Sequence, residues 1–266
     1  MSSGRMRFYS VCQMGQTNFT YVLPNDVPDF MKQGNPHYSR PTKTLYLLHG
    51  VSGNDADWEN NGIAEDLSLE YNLAVIMPTA GNNFYLNREA TGCQYQDFTA
   101  RELIDFTRRT FGLSSKKEDT LIGGLSMGGY GAMHTALAYP DTFFGAICLS
   151  SALIIHEITG MKEGEANSIA NYAYYREVFG ELSSLDQTEV NPEIQYLRLL
   201  EKGKEIPYLY MAIGTEDFLY TNNQITRKFF EEHGAAIKYD EGPGSHTWEF
   251  WNPYICKGLD WLLAQD

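Results

Sequence analysis

TLIGGLSMGGYGAMHTAL, residues Thr120 to Leu137, is the stretch whose reading decides the fold. Its centre, Gly124-Leu125-Ser126-Met127-Gly128, matches the pattern G-x-S-x-G. A bare match is weak, so the flanks must support it. The β-rich run TLIG precedes it, and a run of small and apolar residues follows from Met127 to Tyr139, stopped by Pro140. That is a strand–turn–helix corner. Such a corner holds its serine in a strained backbone conformation, with the hydroxyl above the strand end. Gly124 and Gly128 are needed because side chains there collide across the tight turn. Gly123, Gly129 and Gly131 give further room for close helix–sheet packing.

Working outward, short apolar runs alternate with amphipathic ones. Thr44 to Leu48, Leu73 to Met77, Thr120 to Ile122, Ala146 to Leu149, Tyr208 to Ile213 and Ala236 to Tyr239 read as strands. Continuous apolar runs of this length suit strands buried on both faces, as in a parallel sheet. Thr17 to Leu23 alternates and predicts an antiparallel edge. Helices are expected over Gln96 to Phe111, Met127 to Tyr139, Asn223 to His233 (with Gly234 as C-terminal cap) and Tyr254 to Leu263. The order predicts an α/β class: one domain over residues 1–266, a mostly parallel, doubly wound sheet with helices on both faces. Residues 152–206 separate two strands by far more than a loop requires. They read as an insertion over the sheet before the Tyr208 to Ile213 strand, with Ile194 to Glu201 helical, and either cap the active site or run past it.

A serine hydroxyl needs a base to act as a nucleophile. At a corner of this kind the partners follow in the order Ser, Asp or Glu, His. His233 ends a predicted helix and reads as a surface cap. His246 lies in Gly242-Pro243-Gly244-Ser245-His246-Thr247-Trp248, a loop able to deliver an imidazole over Ser126. The acid is expected just after the Tyr208 to Ile213 strand, where Gly214-Thr215-Glu216-Asp217 stands. Asp217 is the candidate, with Glu216 as runner-up facing solvent. Two backbone donors are expected to hold an oxyanion: the amide of Met127, and that of Val51 in the loop His49-Gly50-Val51-Ser52-Gly53. His49 reads as structural, holding that loop. Trp58, Trp248 and Trp251 are near the two catalytic loops in sequence and are candidate pocket walls. Tyr85, following the Leu73 to Met77 strand, is a candidate substrate contact.

Net charge is −14, which repels nucleic acid and anionic membranes and leaves neutral or cationic substrates favoured. Cys12, Cys93, Cys148 and Cys256 are widely spaced, so neither a disulfide framework nor a zinc site is expected. No apolar run approaches the roughly 18 residues that span a membrane. Met1 to Met6 shows no apolar core behind it, so no signal peptide is expected, and Met1 to Arg5 reads as an added leader with Met6 the natural start. A soluble cytoplasmic protein is the expectation, with secretion after loss of a signal peptide left open.

At this point LLHGVSGNDADW (Leu47 to Trp58), GGLSMGGYGAMHTAL (Gly123 to Leu137), GTEDFLY (Gly214 to Tyr220) and GSHTWEFW (Gly244 to Trp251) can be taken together. The sequence resembles the esterase D family of α/β-hydrolases, which includes tributyrin esterases, S-formylglutathione hydrolases and related acetyl and feruloyl esterases. The resemblance implies an α/β-hydrolase fold, a Ser126–Asp217–His246 triad and an oxyanion hole from the Val51 and Met127 amides. It departs from S-formylglutathione hydrolases where those carry a cysteine-containing L-T-C-T loop. Here the stretch is Val51-Ser52-Gly53-Asn54, which is more similar to the bacterial tributyrin and acetyl esterases.

The expected activity is therefore hydrolysis of short-chain acyl esters, including acetyl or feruloyl esters of carbohydrates, through an acyl-enzyme on Ser126. It requires neither metal nor organic cofactor. The alternatives are an S-formylglutathione hydrolase or acyltransferase and, more remotely, a non-catalytic binding module. The expected partner is a small-molecule ester; nucleic acid and membrane are not expected, and homo-oligomer formation is left open.

Overall fold

The computed structural model describes residues 1–88 and 90–265. Its centre is an eight-stranded sheet, whose strands are β1 (Ser2–Ser10), β2 (Gly15–Leu23), β3 (Lys43–Leu48), β4 (Leu73–Pro78), β5 (Thr120–Leu125), β6 (Gly145–Leu149), β7 (Tyr208–Gly214) and β8 (Ile237–Gly242). The spatial order is β1-β2-β4-β3-β5-β6-β7-β8. From β4 to β8 every pairing is parallel, while β1 and β2 add an antiparallel hairpin on β4.

Every residue of β3, β4, β5 and β6 is buried, as apolar strands covered on both faces must be. Successive side chains leave a strand on opposite faces. Accordingly Tyr46, Leu48 and Ile122 enter one core, and Leu45, Leu47 and Leu121 the other. The first core packs under the helices Leu103–Phe111, Met127–Ala138 and Tyr220–Glu232 and the 152–206 stretch. The second packs under Ala64–Tyr71 and Trp248–Leu263.

Three expectations change. Ser2 to Arg5 begin β1, so the edge strand is β1 and not Thr17 to Leu23, which is sandwiched as β2. Arg5 donates to both oxygens of the buried Asp55, at 2.6 and 2.8 Å. Asp55 also accepts from Thr20 at 3.1 Å and Thr79 at 2.6 Å. Burial alone pushes this carboxyl up, but those donors outweigh it and hold it below the usual carboxylate value. The last strand begins at Ile237 and runs to Gly242, later than Ala236 to Tyr239. The final helix begins at Trp248 and runs through Pro253, which forgoes one helical hydrogen bond while Phe250 and Trp251 are packed into the core.

The helix expected from Gln96 is a continuous helical run, Tyr95 to Phe111, with a π turn at Phe98–Glu102. The wider turn puts Phe98 and Leu103, five residues apart, into the same core. The 152–206 stretch holds the helices Ile155–Ile158, Tyr172–Phe179 and Pro192–Glu201. It packs against the first core through Tyr175, Phe179 and Tyr196. Among the described residues, no helix is long and apolar enough to cross a membrane.

Candidate active site

The chain leaves β3 for β4 on one side of it and returns to β5 on the other. Loops diverging from such a switch point leave a crevice beyond the carboxyl ends of the strands. A cleft of about 370 Å³ opens there, with Gly50 and Val51 from the loop after β3, Ser126 from the corner after β5, and His246 from the loop after β8 on its wall.

Ser126 caps the helix Met127–Ala138 with φ 55° and ψ −120°, a conformation side chains rarely adopt. The strain is held by neighbouring backbone. The Ser126 amide donates to Leu149 at 2.9 Å, and its carbonyl accepts from Ala152 at 2.9 Å and Tyr130 at 3.1 Å. The glycine requirement at 128 is steric: a Cβ there would lie 2.5 Å from the Leu48 carbonyl oxygen and 2.7 Å from that of His49. At Gly124 it would lie 2.5 Å from the Gly128 oxygen. Gly123 is less confined, its nearest neighbour being 3.3 Å away.

Asp217 follows β7 directly and is 5% exposed. One carboxylate oxygen accepts from the Leu219 amide at 2.9 Å, and the other meets His246 Nδ1 at 2.9 Å. A carboxylate oxygen accepts here, so Nδ1 carries the proton and Nε2 is left with its lone pair. His246 is steadied by Trp251 and Phe218, whose rings stand 4.9 and 4.7 Å from the imidazole. Glu216 is exposed, as expected of the runner-up, yet it holds the histidine loop. Its amide donates to the Gly244 carbonyl at 3.0 Å, and its carboxylate accepts from the Gly244 amide. That hydrogen bond from Gly244 is the first reason its carboxyl is depressed, with the Thr215 hydroxyl second.

The loop after β3 is fixed by His49, which is 1% exposed. Its Nε2 lies 3.0 Å from the Ala80 amide and must accept that proton, so Nδ1 donates to the Gly50 carbonyl at 2.7 Å. Burial keeps the imidazole neutral by lowering its pKa, against the opposing Gly50 bond. Among the described residues, neither the Val51 nor the Met127 amide has a protein acceptor. Met127 is the first residue of its helix, where amides lack intrahelical partners and the dipole favours negative charge.

The aromatic candidates separate. Trp248 and Trp251 line the cleft. Trp58 does not: it is 1% exposed, donates Nε1–H to the Leu48 carbonyl at 3.0 Å, and backs Trp248 edge-on at 4.9 Å. Tyr85 is not a cleft residue either. It is fully buried beneath Gly131, and its hydroxyl donates to the His49 carbonyl at 3.0 Å, bracing the loop from below. Its neighbour Phe84 reaches the cleft instead. Phe218, Asp57 and Ile169 also line it and were not singled out from sequence. Phe218 follows Asp217 directly and was detectable; Ile169 lies in the insertion, where nothing in the sequence marks it.

The family model for esterases matches residues 17–262. An acetyl esterase of Caldicellulosiruptor saccharolyticus is 41% identical over 262 residues, covering 98% of each chain. Among solved structures, a fluorophosphonate-binding serine hydrolase of Staphylococcus aureus superposes with a TM-score of 0.83 at 30% identity, covering 98% of each chain. An S-formylglutathione hydrolase of the same organism gives 0.82 at 29%, again over 98% of each chain. The chain belongs to the esterase family within the α/β-hydrolase fold and is a carboxylic ester hydrolase of the serine type.

Proposed function

We propose that Ser126, His246 and Asp217 form the catalytic triad, that the Val51 and Met127 amides form the oxyanion hole, and that short acyl esters, acetyl foremost, are the substrates. The observation that carries this is one cleft bearing both the strained Ser126 and an imidazole held 2.9 Å from a buried carboxylate. His246 Nε2 takes the Ser126 proton as Oγ attacks the ester carbonyl, and the two amides receive the negative oxygen. The carbon–oxygen bond to the alcohol then breaks, and the alcohol leaves with the proton from His246. Water repeats the cycle on the acyl-enzyme, releasing the acid and restoring Ser126. Burial of Asp217 keeps the tautomer fixed throughout.

The size of the cleft and the acetyl esterase relative favour a small acyl group. Ser168 and Ile169 bring the 152–206 stretch to the cleft wall, which supports its role as a partial cap. The four cysteines are free thiols, which supports a cytoplasmic location. The S-formylglutathione hydrolase neighbour favours a second reading, a glutathione thioesterase. Hydrolysis of p-nitrophenyl esters from acetyl to octanoyl, by the parent and Ser126→Ala, tests the proposal. Turnover should be greatest at acetyl to butyryl and be lost in the variant. Activity that survives in Ser126→Ala refutes the triad, and faster turnover of S-formylglutathione than of any oxygen ester favours the second reading.

A further inference from the structure

Asp57 has no part in the machinery described above, yet it stands on the wall of the same cleft. It opens the short helix Asp57–Asn60, and Oδ2 packs so closely on the preceding loop that a Cβ on Gly53 would come within 2.1 Å of it. Among the described residues, its carboxylate has neither a hydrogen-bond donor nor an ion-pair partner. The imidazole beside it, His49, gives its Nδ1 proton to Gly50. No lysine or arginine is among the residues lining the cleft. A four-residue helix supplies too little dipole to account for a half-buried anion here.

Aromatic side chains share the cleft wall with Val51, Leu125 and Ile169. Trp248 and Trp251 lie 5.3 Å apart, and Phe218 flanks His246 on the same cleft. Aromatic rings beside an uncompensated carboxylate, in a chain of net charge −14, are a setting that attracts an organic cation. A short acyl group has no place for a charge, so the cation must reside on the alcohol. Building on the esterase reading above, we infer that Asp57 is the specificity-determining residue of this cleft, and that it selects esters whose alcohol carries an amine or ammonium group. The same carboxylate disfavours anionic alcohols and thiols.

The test holds the acyl group at acetyl and varies the alcohol: 2-(trimethylammonio)ethyl acetate, its uncharged isostere 3,3-dimethylbutyl acetate, and glycerol monoacetate. The parent should turn over the cation about tenfold more efficiently than the isostere, the size expected of one ionic contact with a cation–π contribution in an open cleft. In Asp57→Asn that ratio should fall to about two, through KM and not kcat. The ratio is taken within each enzyme, so a general loss of activity cancels. A parent that does not distinguish the pair, a ratio unchanged in Asp57→Asn, or a preference for the glycerol ester over the cation overturns the inference. Choline titrated into Ser126→Ala and into Ser126→Ala/Asp57→Asn, followed by tryptophan fluorescence, gives an answer that does not depend on turnover. Binding at least fivefold weaker in the double variant supports the inference, and equal binding refutes it even if no ester is hydrolysed.

Discussion

Acidification should loosen this protein through a buried histidine that does not line the cleft. His134 lies on the helix Met127–Ala138, 4% exposed. Its Nε2 donates to the Glu189 carbonyl at 2.9 Å, and its Nδ1 accepts from the Gln96 amide at 2.7 Å, so the native ring is neutral and ties the insertion to two helices. Burial lowers its pKa to about 4, against a smaller opposing effect from Glu189. In the unfolded chain the same ring titrates near 6.5. Between those values the unfolded state binds more protons, so stability rises with pH: it is complete above about 6.5 and falls as pH drops below that. With these two pKa values, going from pH 7.5 to 5.0 removes about 2 kcal/mol. His37 and His49 are shifted in the same direction, so the parent alone does not isolate His134. The measurement is urea unfolding at both pH values for the parent and for His134→Gln, whose amide can still donate to Glu189 but does not titrate. The parent should lose about 2 kcal/mol more than the variant over this interval. Equal losses, within about 0.5 kcal/mol, would mean that the native ring accepts a proton as readily as the unfolded one, and the reasoning would fail.

Asp217→Asn should lower kcat by about 10⁴ with little change in KM, because an amide can present N–H to His246 and favour the wrong tautomer. Steady-state kinetics on p-nitrophenyl acetate reads this, and a loss below tenfold would remove Asp217 from the triad. Arg5→Ala should cost about 1–2 kcal/mol, since Asp55 keeps Thr20 and Thr79 but loses its two-point cationic donor. Thermal unfolding should show this as a drop of about 2–8 °C, whereas an unchanged midpoint would mean that the Arg5–Asp55 pair adds nothing to stability.

The parts legible in the sequence were those enforced by local rules. The corner at Ser126 requires Gly124 and Gly128 because backbone occupies the space a side chain would need, and that constraint is written in the residues. Strands β3 to β7 are continuous apolar runs because both of their faces are covered. The order Ser126, Asp217, His246 follows from the order of strands, and the Asp217–His246 pair is the arrangement that spacing predicted. The role of His49 as a brace for its own loop was also readable, because a glycine-rich turn beside a histidine needs something to hold it.

Tertiary structure alone decided the rest. Trp58 and Tyr85 stand in the sequence beside cleft-lining residues, but side-chain direction sends Trp58 to the Leu48 carbonyl and Tyr85 to that of His49, while Phe84 and Asp57 line the cleft. Strand β1 buries alternate residues only partly, so its pairing with β2 depends on backbone partners and on Arg5 finding Asp55, fifty residues away. The approach of Ile169 to the cleft depends on how an insertion folds back, and no local pattern encodes it. Sequence determines chemistry where a residue's neighbours in the chain are also its neighbours in space. Where the neighbours arrive from elsewhere in the chain, as at the walls of this cleft, packing decides which side chains face the substrate.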